Sequence, residues 1–170
     1  NKHFNIYDLE LVFFDGAGDS SVTVDKTAPT LSSVSIASNN TTNTHAKVGD
    51  NVTLTITANE TISTPTVVFQ CGGSAITDTS ITYSNTTGNT WTAVYTTNSN
   101  DTEGSVTYSI SFSDTAGNAG TTVTSGSGSV TFDKTVPTLT SVSIASDNNT
   151  TTLAKVGDNI TLTMTASETI

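Results

Sequence analysis

Apolar side chains recur at every second position in short runs along this chain, with Thr and Ser between them. Val52, Leu54, Ile56 and Ala58 alternate with Asn51, Thr53, Thr55 and Thr57, and Val106, Tyr108, Ile110 and Phe112 repeat the pattern. Successive side chains of a β-strand point to opposite faces, so a period of two marks a half-buried strand with its apolar side inward. No segment shows the 3.6-residue period of a helix. Turn signals separate the runs: Val48-Gly49-Asp50, Cys71-Gly72-Gly73, the Gly88-Asn89 pair, and the stretch from Asp114 to Gly120. The pattern predicts strands over 31–38, 51–58, 66–70, 75–83, 90–97 and 106–112, and a seventh that ends at Phe132. Thr fills the outward positions, where a β-branched side chain fits a pleated, half-wet surface. Seven short strands in about 100 residues point to an all-β fold, an antiparallel Greek-key sandwich.

The same pattern occurs twice. Residues 25–62 (DKTAPTLSSVSIASNNTTNTHAKVGDNVTLTITANETI) return 108 positions later at 133–170 (DKTVPTLTSVSIASDNNTTTLAKVGDNITLTMTASETI). Nine of the 38 paired positions differ and 29 are identical. A period of 108 is far longer than solenoid repeats of about 20–50 residues and close to the size of a small domain. The expected organisation is therefore a tandem array. Residues 25–132 form one complete domain, and 133–170 supply the first strands of the next. Residues 1–24 are either the terminal strands of a preceding unit or an N-terminal donor segment. Residues 15–19 (DGAGD) align with 114–118 (DTAGN), and SVTV at 21–24 aligns with SVTF at 129–132. The segment before them is the most apolar in the chain, with Phe4, Ile6, Leu9, Leu11, Phe13 and Phe14. Such a strand suits assembly, because it can complete the open sheet of a neighbouring copy. The chain opens and closes inside repeat units, so it reads as a window on a longer array.

Composition changes this picture in two ways. Ser and Thr make up 60 of 170 residues, which on its own suits a disordered chain, but disorder gives no reason for strict alternation. The formal charge is −10, with only five Lys and no Arg. That excludes a basic nucleic-acid footprint and a polybasic membrane surface, and it favours solubility and the capture of cations. No apolar run approaches the ~20 residues of a membrane-spanning helix, and no signal peptide is visible. A single cysteine, Cys71, allows no disulfide within the chain and reads as a turn residue; an interchain bridge is the alternative. An extracellular protein without disulfides needs another source of stability, and bound metal is one.

Strands that run alternately down and up sort the acids to two ends. One end collects Asp25, Glu60, Asp114 and Asn118, and the other collects Asp50, Asp101, Glu103 and Asp133. Asp15 and Asp19 occupy the loop that aligns with Asp114 and Asn118. Ca2+ takes about 6–8 oxygen ligands, including Asn and backbone carbonyls, in flexible geometry. Acids gathered at the poles are therefore expected to hold calcium at domain junctions, with Asp25 and Asp133 at the joints. Turns favour Asp and Asn for backbone reasons alone, and the spacing of an EF-hand is absent.

Other chemistry finds little support. The two histidines, His3 and His45, lie in no nucleophile motif such as G-x-S-x-G, and His45 is replaced by Leu153 in the second copy. An enzyme is not expected. Two histidines and one cysteine fall short of the four ligands of a closed zinc site. Trp91 and Tyr95 read as core aromatics, with a carbohydrate platform as the weaker alternative. Nine N-x-Thr sequons between Asn39 and Asn159 leave glycosylation open.

DKTAPT at the start of the unit, GDNVTLTITANE in its second strand and SFSDTAGNAG before its last hairpin resemble bacterial Ig-like repeats, the tandem domains of giant surface adhesins and biofilm proteins. The resemblance spans 25–132 and both flanks, although 1–14 is more aromatic than the pattern. It implies a seven-stranded Ig-like sandwich in an extracellular stalk, often stiffened by calcium. The linker and apical acids that it implies as ligands are Asp25, Glu60, Asp114 and Asp133. Two functions then compete: a rod or fibre built by head-to-tail contact with neighbouring copies, and an adhesive domain that grips surface glycans or proteins through its polar loops. Near-identical copies favour the spacer, since spacing needs repetition whereas recognition needs variation.

Overall fold

The structure, a computed structural model, describes residues 12–13 and 20–169. Its strands are β1 (Val12–Phe13), β2 (Ser20–Ser21), β3 (Leu31–Ser38), β4 (His45–Ala46), β5 (Asn51–Ala58), β6 (Thr66–Cys71), β7 (Ser74–Ala75), β8 (Thr82–Thr87), β9 (Thr90–Thr96), β10 (Gly104–Ser111), β11 (Thr131–Phe132), β12 (Leu139–Ser146) and β13 (Ile160–Ala166). No helix occurs among the described residues. The chain divides into two compact units between Asp133 and Lys134. The expected assembly residues Phe4, Ile6, Leu9, Leu11 and Phe14 lie outside the described residues, as do the acids Asp15 and Asp19. Of Phe13 only the backbone is described, paired with Ser20 in the β1–β2 hairpin.

The first unit stacks two sheets. One has the order β3-β5-β9-β8, and the other β4-β11-β10-β6-β7. The strand pairs are antiparallel except β11 with β4, which is parallel. First, second, fifth and fourth long strands on one sheet, facing third, sixth and last on the other, is the ABED and CFG arrangement of an immunoglobulin-like sandwich. The alternation of the sequence is realised side by side. Val52, Leu54, Ile56 and Ala58 of β5 are buried at 4% exposure or less, and the intervening residues face outward. They meet Phe69, Tyr95, Ile110, Val130 and Phe132, each 2% exposed or less, and the Phe69 and Tyr95 rings lie 4.8 Å apart. Burying one such side chain stabilises the fold by about 1.5–3 kcal/mol.

Two of the expected strands differ. The run 75–83 is no single strand: β7 pairs with β6 in one sheet, and β8 pairs with β9 in the other. Between them, side-chain carboxylates take the backbone N–H groups that a ladder would use. Asp101 accepts from Thr77 N (2.7 Å), and Asp78 accepts from Ser80 N (2.8 Å) and Thr96 N (2.9 Å). The chain crosses from one sheet to the other there. The seventh strand is regular only at Thr131–Phe132. Before that the segment makes single bridges, Ser113 to Ala119, Ile110 to Val123 and Ser35 to Ser127, so it moves from β10 to the edge of β3. Cys71 is also not a turn residue. It closes β6 with no exposed surface.

The second unit is the β12–β13 hairpin. Its register repeats that of β3–β5, Val142 facing Met164 as Val34 faces Ile56, with the same irregularity between Leu139 and Ser141 as between Leu31 and Ser33. Its apolar residues are exposed: Ile144 is 71% and Leu162 54% accessible.

Candidate metal centre

The loop that follows β5 and the loop that follows β10 meet at one end of the first unit. A single antiparallel bridge joins Ile62 to Asp114, and Ser63 N donates to Ser113 O (2.9 Å). Ile62 is 3% exposed, so an apolar anchor holds the first loop in place beside Glu60. The segment that leads into β3 is tied to the same corner. Thr30 N donates to Asn59 Oδ1 (2.7 Å), Asn59 N donates to Thr30 O (3.0 Å), and Pro29 is buried. Asn118 completes the corner, its Nδ2 donating to Asp25 O (3.1 Å) and Asp114 Oδ2 (2.7 Å).

Asp25, Glu60 and Asp114 each place a carboxylate oxygen within 4.8 Å of the others. Asp25 is exposed, Glu60 half-buried and Asp114 only 3% exposed. Burial pushes the Asp114 carboxyl up, but donors from Asn118, Gly117 and Ala116 outweigh it and hold it below its ordinary value. Asp114 is therefore an anion at neutral pH, aimed at two further acids. Three carboxylates from three separate segments are the kind of oxygen set that a hard cation takes. Like charges this close repel one another unless a cation lies between them.

The four residues expected at this end come together: Asp25, Glu60 and Asp114 as the cluster, and Asn118 as the amide that braces two of them. The acids expected at the other end do not. Among the described residues, Asp50, Asp101, Glu103 and Asp133 form no comparable group. Asp50 accepts from Asn40 Nδ2 (2.8 Å) and Lys47 N (2.9 Å), closing its own loop. Asp101, 1% exposed, accepts from Thr77 N, Thr77 Oγ1 and Asn98 N. Glu103 lies where its carbonyl packs against Gly72, and Asp133 N donates to Ala46 O (2.9 Å). Asp50 serves the turn it sits in, the role that short acids take at loops, and Asp101 ties its own loop to the crossover between β7 and β8. The sequence reading missed Asn59, which fixes the lead-in segment next to Glu60. Its signal was its place directly before the acid.

No family model and no curated protein matches this chain. Among solved structures, titin M4 in its trigonal form is similar: 20% identical, with 66% of this chain and 100% of the titin chain covered, at a TM-score of 0.35. The immunoglobulin-like assignment rests on the strand order of the two sheets.

Proposed function

We propose that this chain is a structural module of an extracellular rod, stalk or fibre, akin to the Ig-like repeats of bacterial surface adhesins, in which copies follow one another head to tail. Calcium held by Asp25, Glu60 and Asp114 braces the segment that leads into each sandwich. The convergence of those three acids from three segments carries this reading. Asp25 belongs to the linker and Asp114 to the body of the domain, so an ion shared between them replaces a freely hinged lead-in with a cross-braced one. The repeat supports it: Asp133 and Glu168 stand at the positions of Asp25 and Glu60 in the second copy. Uniform Thr- and Ser-covered faces and near-identical copies suit spacing rather than recognition.

Thermal unfolding with ~10 mM calcium and with chelator tests this. A ligand that binds only the folded state at about 100 times its dissociation constant adds ~2.7 kcal/mol. For a domain of this size that raises the midpoint by on the order of 10 °C. Small-angle scattering of the chain is expected to show a longer maximum dimension with calcium than with chelator. Identical melting and scattering profiles in the two conditions contradict the proposal.

A further inference from the structure

Six of the nine N-x-Thr sequons lie in the first unit, at Asn39, Asn40, Asn51, Asn59, Asn85 and Asn100. The fold sorts them. Asn39 Oδ1 accepts from Asn51 N (2.9 Å), and Asn40 is held at both ends of its amide, by Asp50 Oδ2 (2.8 Å) and Thr42 N (3.1 Å). Asn51 Oδ1 accepts from Thr96 Oγ1 (2.9 Å), and Asn59 Oδ1 accepts from Thr30 N (2.7 Å). A sugar on any of these amides disturbs a loop clamp or a tie between segments. Asn100 is exposed, but its sequon runs through Asp101, which is 1% exposed and bonded to Thr77 and Asn98. Seating that sequon in an enzyme pulls Asp101 out of its loop. Asn85 is different. It is exposed, nothing among the described residues bonds its amide, and its sequon lies at the end of β8, where the register with β9 shifts.

Two features of this position point to a sugar. The first is the edge on which it lies. β8 is the outer strand of its sheet. The other margins of the unit are short or covered: β4 and β7 have two residues each, and Ser127 bridges to β3. β8 has six residues, TYSNTT, with no charge and no proline. Protein edges are commonly guarded by charges, prolines or cover, because an open edge pairs with other chains. A bulky hydrophilic group on Asn85 supplies the guard that the sequence of β8 lacks. The second feature is Trp91, the cross-strand partner of Asn85. Partners of this kind share a face of the sheet, with Cβ atoms about 4.5–5.5 Å apart. Trp91 is only half-buried. The apolar C–H face of a pyranose packs against an indole, so Trp91 offers the first sugar a platform.

We propose that Asn85 is an acceptor for N-linked glycosylation, and that its glycan guards the β8 edge against pairing with other copies. Asn85 Nδ2 attacks the anomeric carbon of a glycosyl diphosphate donor. The C–N bond forms as the bond from that carbon to the phosphate oxygen breaks. The electron pair leaves with the diphosphate, and the amide proton passes to a base of the transferase. Thr87 completes the sequon. The site uses none of Asp25, Glu60 and Asp114, so it stands or falls without the calcium reading.

The test incubates the folded full chain with an oligosaccharyltransferase and a lipid-linked oligosaccharide, and maps occupancy by peptide mass spectrometry. Within the first unit, Asn85 is expected to be filled at least tenfold more than any of the other five sequons. Thr87→Ala is expected to abolish that modification with Asn85 itself unaltered. The emission of Trp91, the single tryptophan, is expected to shift to the blue once the glycan is in place. The glycosylated chain is expected to aggregate at least threefold more slowly under agitation than the unmodified chain. An unglycosylated Thr86→Lys chain is expected to match it, because a charge guards the same edge even though it reduces the net charge of −10. An empty Asn85 overturns the inference, as does equal filling of the clamped asparagines. Aggregation that neither the glycan nor Thr86→Lys slows overturns the guarding role, and an unchanged emission overturns the platform.

Discussion

The β3–β5 hairpin of the first unit and the β12–β13 hairpin of the second are nearly the same sequence in two surroundings. Their registers match residue for residue, and the loops between their strands carry equivalent clamps, Asn40 to Asp50 in one and Asn148 to Asp158 in the other, both at 2.8 Å. Their burial does not match. Leu54 has no exposed surface, whereas Leu162 is 54% accessible. The difference separates what a segment specifies locally from what the rest of the sandwich supplies. Strand pairing, the bulge and the Asx-type clamps come from residues within the hairpin. The core does not, because it needs β6, β9, β10 and the 126–132 strand.

The sharpest way to break this comparison is one substitution made at both places. Leu54→Ala is expected to cost about 2–5 kcal/mol, the range for truncating a buried leucine. Leu162→Ala is expected to stay within about 0.5 kcal/mol, as exposed positions do. Denaturant unfolding of the two variants reads both, and comparable losses contradict the assignment of different surroundings.

A smaller effect is expected from a contact that only the complete unit contains. Asp101 joins the crossover between β7 and β8 to the loop after β9. Asp101→Ala leaves the Thr77 and Asn98 N–H groups without that acceptor, at a cost of about 1–3 kcal/mol. Faster hydrogen exchange at Thr77 and Asn98 is the accompanying signature, with the amides of β12 and β13 unaffected.

The smallest effect concerns what the hairpins share. Burial raises the Asp50 carboxyl, but the Lys47 N–H, the Asn40 amide and the Lys47 charge together hold it below its ordinary value. Asn148 and the Lys155 N–H lower Asp158 below the same value. A carboxyl depressed in the folded state contributes stability at pH values above its unfolded pKa, and that contribution is lost as pH falls through the folded value. Both loops are therefore expected to hold at neutral pH and to loosen only in acid below about pH 4. Carboxyl NMR titrations check this, and an ordinary pKa at either aspartate breaks the equivalence of the two clamps.

Much of this fold was legible in the alternation itself. β3 and β5 fall where the pattern places them, and β6, β9 and β10 lie within two residues of it, because each carries apolar residues on one face and Thr or Ser on the other. Two kinds of information were hidden. In 75–83, Ile76, Ile81 and Tyr83 read as strand, yet Asp78 and Asp101 capture backbone donors there, a competition that side-chain geometry decides. In 121–128 the chain reads as part of a seventh strand, with no role for its two glycines. Gly126 and Gly128 instead permit close approach to β3, which depends on a partner some 90 residues away in sequence. The candidate site was legible to the same degree. Alternating strand direction brought Asp25, Glu60, Asp114 and Asn118 to one end. The same reasoning placed Asp50, Asp101, Glu103 and Asp133 at the other end, but it cannot see that Asp50 turns inward to its own loop and that Asp101 is taken up by its loop and the β7–β8 crossover.

The central claim is that the Asp25, Glu60 and Asp114 corner holds calcium and thereby stiffens the module. Calorimetric titration of calcium into the full chain, beside Glu60→Gln and Asp114→Asn variants, tests it most directly. Glu60 makes the cleaner variant, since Asp114 also anchors Asn118. The account predicts saturable binding to the wild-type chain, at least tenfold weaker in each variant. The absence of binding heat in the wild-type chain, or binding that both variants retain in full, contradicts it.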